Sequence, residues 1–357
     1  PHLLFGVIFG GLADRYDCRR IVQIAQGLFM LASLGWAIVI ITGTLQPWNA
    51  VLLLSLHGLA SALWGPAEQM MLYDIVGPED LPSAVRLMAT GLNLGMLVGP
   101  LIGAALLFTV GPAWGLLVNI ALYLPFIIYL GIVPYTGHTR AGQTPRPRLT
   151  LRQTFGVLGE IPRYPSVLTV FILQGAVGLF IGTALLPLLP DFGELLGATG
   201  SGVGYGALIA AMSFGAVTAG VSLEAIGRIR ATAGLAIVST IVFAASLIVF
   251  ALSHNLVLSV AMLVIAGMGN LTSASTSQAV VQLGAPADRR GRFLGAYSMT
   301  SMGLRLGSGV LIGVLASAFG PSVAIGVDAA ALLILATSLL AVVLVRRASA
   351  RPAATQP

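Results

Sequence analysis

GGLADRYDCRR, residues 10–20, runs directly into IVQIAQGLFMLASLGWAIVIIT, residues 21–42. The second stretch carries no charge, and as a helix its length of ~33 Å crosses the ~30 Å hydrocarbon of a bilayer. The first stretch holds Asp14, Arg15, Asp17, Arg19 and Arg20, too many charges to lie in lipid. A charged turn feeding an uncharged run of spanning length is the mark of a membrane helix, and it recurs along the chain.

Outward from this pair, an apolar fragment covers 1–13. Further runs lie near 49–72, 83–108, 113–133, 165–190, 202–224, 231–252, 256–283, 293–318 and 322–345. With 21–42 they predict ten whole spans and one partial span of an all-α membrane protein. Composition agrees: 57% of 357 residues are hydrophobic and 8% charged, where a soluble domain carries about 25% charged residues. The net charge of +6 comes from arginines at the ends of apolar runs, not from a basic patch with aromatics. No nucleic-acid partner is expected. The one cysteine, Cys18, leaves no thiol pair for a disulfide, metal or redox centre. The opening at Pro1 lacks a charged region before a short apolar core, so no signal peptide is predicted.

Arginine falls in alternate breaks between runs: Arg15, Arg19 and Arg20; Arg140, Arg146, Arg148, Arg152 and Arg163; Arg228 and Arg230; Arg289, Arg290 and Arg292; Arg346, Arg347 and Arg351. The 73–82 break has none, but Arg86 follows just inside the next run. Short loops rich in arginine stay in the cytoplasm. The 14–20 loop, the central break and the C-terminus are therefore all predicted to be cytoplasmic, in a multi-pass protein of the cell's inner (plasma) membrane.

The proline- and arginine-rich stretch 134–164 reads as a linker. It divides an N-terminal transmembrane bundle, 1–133, from a C-terminal one, 165–346, with a cytoplasmic tail at 347–357. The halves echo each other: Gly10, Asp14 and Arg19 recur as Gly220, Glu224, Gly227 and Arg228, while Gly95 and Gly99 recur as Gly303 and Gly307. Two parallel repeats of six helices are the build of many secondary transporters. On that scheme the first bundle is N-terminally truncated, lacking helix 1 and the start of helix 2.

Gly10-Gly11-Leu12-Ala13-Asp14-Arg15-Tyr16-Asp17-Cys18-Arg19-Arg20 resembles the loop between helices two and three of the major facilitator superfamily. Gly91-Leu92-Asn93-Leu94-Gly95-Met96-Leu97-Val98-Gly99-Pro100-Leu101-Ile102-Gly103-Ala104 resembles the helix-five signature of its drug and metabolite antiporters. Val76–Ala84, Leu185–Pro190 and Arg289–Phe293 are similar to stretches of the branch that holds siderophore (enterobactin) and macrolide exporters. Asp17 stands where glycine is common, and Cys18 where a basic residue is common.

The resemblance implies a major facilitator fold of two pseudo-symmetric six-helix bundles around a central cavity. It implies a gating latch in which Asp14 meets arginine and a helix N-terminus, with Arg15 and Arg19 as cationic partners and Gly10 allowing close approach. Gly220, Glu224, Gly227 and Arg228 would form its counterpart. It further implies a smooth face at Gly95, Gly99 and Gly103 with a bend at Pro100, on which close packing of helix five depends.

Charges inside the runs are a separate signal, because one at the bilayer centre costs at least ~2.5 kcal/mol. Arg305 and Asp328 lie at similar depths on neighbouring runs, as an ion pair or as substrate- or proton-handling groups. Glu68 is a candidate proton carrier, or else a partner for Arg86 or a lining group of the cytoplasmic mouth. His57, nearer the midplane of the same run, is a coupling group or a packed histidine. Asp74, like Glu224, falls at a helix end near the gating loops.

No G-x-x-x-x-G-K-[ST] phosphate loop and no H-E-x-x-H pair is present. No cofactor or metal is expected, and no enzymatic activity. The partners predicted are a small-molecule substrate, protons and the lipid bilayer, with the chain a monomer. The implied function is export of drug- or siderophore-like amphipathic molecules by proton antiport with alternating access. The alternatives are an importer or uniporter of the same fold, or a non-transporting membrane sensor.

Overall fold

The computed structural model describes residues 1–139, 155–182, 185–196, 203–227 and 229–349. Arg228, Arg351 and the 140–154 part of the expected linker, with Arg140, Arg146, Arg148 and Arg152, lie outside them. Among the described residues there are helices and turns and no strand.

The order is α1 (His2–Arg15), α2 (Cys18–Thr42), α3 (Pro47–Val110) and α4 (Pro112–Ile132), then two 3-10 turns (Val157–Gly159, Ile161–Arg163). There follow α5 (Pro165–Ala176) with a π turn (Val177–Ile181), α6 (Leu185–Leu195), α7 (Val203–Ile226), α8 (Ala233–Leu252) and α9 (Leu256–Gly284). A 3-10 turn (Ala287–Arg289) then leads into α10 (Arg290–Ser298), a π segment (Met299–Gly303), α11 (Arg305–Phe319) and α12 (Pro321–Ser349).

Among the described residues, eight helices are long and apolar enough to cross a membrane, or nine if the bent 157–181 pair is one span. One of the eight is a 53-residue stretch, Pro47–Gly99, which as a straight helix would run ~80 Å, more than twice the hydrocarbon thickness. It breaks at Gly77, whose φ of 78° and ψ of 179° suit glycine alone. Glu79 and Asp80 open the second limb, where acidic side chains favour the positive end of a helix. The 73–82 stretch, expected as a loop, is thus helical apart from a one-residue corner.

The run expected as one span at 165–190 also differs. It is divided into α5 with its π turn and α6, with Gly182 at φ 37° between them.

Elsewhere the ends follow their residues. Asp17 accepts the Arg19 amide at 3.0 Å and caps α2, and Thr232 accepts the Leu235 amide at 3.2 Å and caps α8. The outward faces are apolar: Phe108, Val257 and Ile132 are 87%, 78% and 77% exposed. Hydrocarbon, not water, is the solvent such faces suit.

By contacts the chain forms two compact units. The first holds Pro1–Ala84, Val98–Tyr164 and Val281–Gly303; the second holds Val85–Leu97, Pro165–Val280 and everything from Leu304 on. Each therefore includes a segment from both sides of the central break. The second unit has an aromatic-rich core in which Phe192 and Phe250 lie 4.6 Å apart beside Phe243, Leu247 and Leu263.

Candidate functional site

Within the first unit, α1 and α10 cross at backbone contact. A Cβ on Gly10 would run into the Gly291 carbonyl, and one on Gly295 into the Gly6 carbonyl. Four glycines meeting in this way let two helices approach closely.

The crossing aims the Asp14 carboxylate at the start of α10. Its Oδ1 accepts the Gly291 amide at 2.5 Å, and its Oδ2 accepts the Arg292 amide and Nε, each at 3.0 Å. Both side chains are buried, at 7% and 11% exposure. A carboxylate at a helix N-terminus meets unpaired amides and the positive end of the dipole, and Arg292 adds a full charge. Asp14 lies past the apolar part of α1. Burial pushes its carboxyl up to about 6, against the lowering pull of Arg292 and the two amides.

The expected pairing of Arg19 with Asp14 is corrected here. Arg19 turns to Asp17, at 2.8 Å, and donates to the Val133 carbonyl at 2.6 Å, because the α2 cap already holds the Asp17 carboxylate beside it. Burial acts to raise Asp17, but the Arg19 side chain and amide hold it below the usual carboxylate range. Arg15 lies 5.4 Å from the Tyr16 ring.

The second unit holds an arrangement of the same kind. Glu224, near the end of α7, accepts from Arg86 Nε at 2.8 Å; Arg86 is 5% exposed and Glu224 33%. One turn earlier, a Cβ on Gly220 would collide with the Thr90 hydroxyl. Gly220 and Glu224 thus meet the second limb of α3 through a glycine contact and a carboxylate–arginine pair, as Gly10 and Asp14 meet α10, where the carboxylate also takes two backbone amides. Arg86, one suggested partner of Glu68, is engaged with Glu224. Gly227 follows with φ 101°.

The glycines of the helix-five motif behave differently. A Cβ on Gly95, Gly99 or Gly103 would have nothing within 4 Å, and the backbone stays helical through Pro100. Among the described residues, the expected close packing of this face is not found. Their echoes do pack: Gly303 lies against Leu3, and Gly307 against Leu179.

Among the membrane charges, Glu68 is half-buried on the first limb of α3, and His57 is exposed with its ring 4.7 Å from that of Phe29. Arg305 is half-buried at the start of α11. Asp328 is 2% exposed on α12, with its Oδ2 lacking a hydrogen bond.

Three groupings escaped the sequence reading. Asp74 accepts the Gly137 and Thr139 amides at 3.0 and 3.1 Å, while the Cys18 amide donates to the Thr136 carbonyl at 2.9 Å. The chain after α4 is thereby seated on the α1–α2 turn. Gln174 donates to Ser273 and Ser277, and Thr240 shares a hydrogen bond with Ser273 at 2.6 Å; the cluster of Thr272, Ser273, Ser275, Thr276, Ser277 and Gln278 in an apolar run was its signal. His2 contacts serines of two other helices.

The long apolar helices make this a multi-pass membrane protein, and its fold is that of the major facilitator transporters. The crystal structure of the human organic anion transporter MFSD10 superposes with a TM-score of 0.74 at 14% identity, covering 95% of this chain and 80% of that one. The transmembrane secretion effector family matches residues 1–356, and the chain belongs to it. The enterobactin exporter EntS of Shigella boydii is 24% identical over 347 residues, 95% of this chain and 80% of the exporter. A Na(+), Li(+), K(+)/H(+) antiporter of Planococcus maritimus is 31% identical over 110 residues, 29% of this chain but only 24% of the antiporter's length.

Proposed function

We propose that the chain is a secondary active exporter of small amphipathic molecules, siderophore- or drug-like, driven by proton antiport. The observation that carries this reading is the pair of clasps, Asp14 on α10 and Glu224 on Arg86, each backed by a glycine at a helix crossing. The clasp carboxylates stand at repeat-related positions beside arginines that the charge rule assigns to the cytoplasmic face.

In this scheme the sequence halves 1–133 and 165–346 are the repeats, and opening toward the cytoplasm requires both clasps to release. Coupling needs a group that binds a proton on one side and releases it on the other, and Glu68 is the acid in the membrane best suited to that task. Export and a siderophore-like substrate draw support from the enterobactin exporters, which match nearly the whole chain.

The test uses the full-length protein in liposomes with labelled enterobactin and an imposed pH gradient. Movement that follows the sign of the gradient and weakens with Glu68→Gln supports the reading; movement indifferent to the gradient contradicts it. The cation/proton antiporter match favours a second reading, exchange of a monovalent cation for protons. Sodium or potassium flux under the same gradient, without enterobactin movement, would select it.

A further inference from the structure

Asp14 holds one end of the α1–α10 crossing, and His2, twelve residues or about 18 Å up the same helix, holds the other. The His2 Nδ1 lies 3.0 Å from the Ser298 hydroxyl, and its Nε2 lies 3.3 Å from the Ser61 hydroxyl. Ser61 belongs to the first limb of α3, and Ser298 is the last residue of α10 before the π segment. Gly6 against Gly295 on one side and Leu3 against Gly303 on the other fix the ring in this place. One imidazole thus ties three helices where one of them changes its winding, a feature often found at functional hinges.

The chemistry of the partners decides what the ring can do. A neutral imidazole donates one hydrogen bond and accepts one, an imidazolium donates two, and a serine hydroxyl can rotate to serve either. A proton can therefore enter with neither contact broken. We propose that His2 is a proton-binding site of the transporter and that its protonation biases the α1–α10 crossing.

The proposal rests on the proton-antiport reading for its role in transport, but not for the binding itself. Other titratable or charged side chains on these helices are His57, Glu68, Tyr73 and Asp74 on the first limb of α3, with Glu79, Asp80 and Arg86 beyond its break at Gly77, Arg290, Arg292 and Tyr297 on α10, and Asp14 and Arg15 on α1. Asp14, Arg290 and Arg292 stand at the far end of the crossing; His57 and Tyr297 are the near ones. An imidazolium at this depth is costly in lipid. Its charge state thus responds to how closely the three helices shut out water.

The experiment has two arms, both on the full-length protein. In nanodiscs, ¹⁵N-histidine resonances are followed from pH 5 to 8, with His2 assigned by its absence in His2→Gln. The expected result is a His2 titration inside that range whose midpoint moves when Ser61 and Ser298 are changed to alanine. A flat His2 signal, or one indifferent to both serines, overturns the proposal.

In liposomes, His2→Gln is expected to lose gradient-driven enterobactin movement by about a hundredfold. Exchange of labelled for unlabelled enterobactin without a gradient is expected to persist. Gradient-driven movement at the wild-type rate, or equal loss of both, overturns the coupling role, the second because it marks a merely structural residue. A wild-type protein indifferent to the gradient sinks the antiport reading instead, and the titration alone then decides whether His2 binds the proton. Should His2→Gln fail to fold, the doubly serine-substituted protein carries both arms.

Discussion

Gly10→Ala separates the two glycine patterns that look alike in the sequence. A methyl at Gly10 would stand 2.9 Å from the Gly291 carbonyl carbon and 3.0 Å from the Gly295 Cα, and closer still to the Gly291 oxygen. Carbon atoms rest at about 3.5–4.0 Å, so α1 and α10 must part by roughly 0.5–1 Å. Both obstacles are backbone, and no side chain can rotate away.

Overpacking of this kind costs about 1–3 kcal/mol. The same displacement stretches the bond from the Gly291 amide to Asp14, now 2.5 Å. Its weakening adds about 1 kcal/mol or more for a charged acceptor. Gly95→Ala meets nothing within 4 Å and exchanges glycine for a better helix former, a gain of up to about 1 kcal/mol. Thermal unfolding of the two variants of this chain in detergent, followed by tryptophan fluorescence, should show Gly10→Ala melting well below the parent and Gly95→Ala at or above it. Equal losses would refute the reasoning, since they would place helix five in a close contact that is absent among the described residues.

The Asp14 clasp has a pH signature. Its folded-state pKa of about 6 exceeds the ordinary 3.8, so the clasped form binds protons more tightly, and stability should rise by up to roughly 3 kcal/mol as pH falls from 6 toward 4. Asp14→Asn should remove that slope in melts taken across this range. The Asp17 cap works in the opposite sense, because its lowered pKa contributes stability that is present above about pH 4 and lost only on further acidification. For the second clasp, Glu224→Gln leaves the buried Arg86 with a weaker partner and should cost about 1–3 kcal/mol; a double-mutant cycle with Arg86→Met should recover part of the loss. Cys18→Arg should evict the 136–139 segment, because Gly137 sits directly on the Cys18 sulfur. The eviction would be read as faster proteolysis after α4, with unchanged cleavage counting against it.

Much of the fold could be read directly. Runs such as Ile21–Thr42 are too long and too apolar for anything but membrane helices, and arginine in alternate breaks counts the crossings independently. Gly10 and Asp14 were likewise visible as a unit with an echo at Gly220 and Glu224. Their partners were not. Arg292 is 278 residues from Asp14, while nearby Arg19 offers the same charge, so proximity in sequence favoured a cation that turns instead to Asp17. Nothing in the spacing of Gly95, Gly99 and Gly103 distinguishes a packed face from an open one. The break at Gly182 and the helical continuation past Asp74 depend on backbone angles that apolar periodicity does not report. His2 was hidden for a related reason: its meaning lies in two serines, each unremarked alone.

The proposed mechanism requires both clasps to lie on the cytoplasmic face of one multi-pass chain, and accessibility labelling tests this most directly. Single cysteines are introduced at the exposed positions Arg20, Arg230 and Asp288, or at Gln46 and His254 on the opposite helix ends, in the full-length protein with Cys18→Ser. A membrane-impermeant maleimide applied to intact cells should label residues 46 and 254, and reach 20, 230 and 288 only after the membrane is opened. Labelling of 20 and 230 from opposite sides would contradict the topology and, with it, the pairing of the two clasps on a single gate.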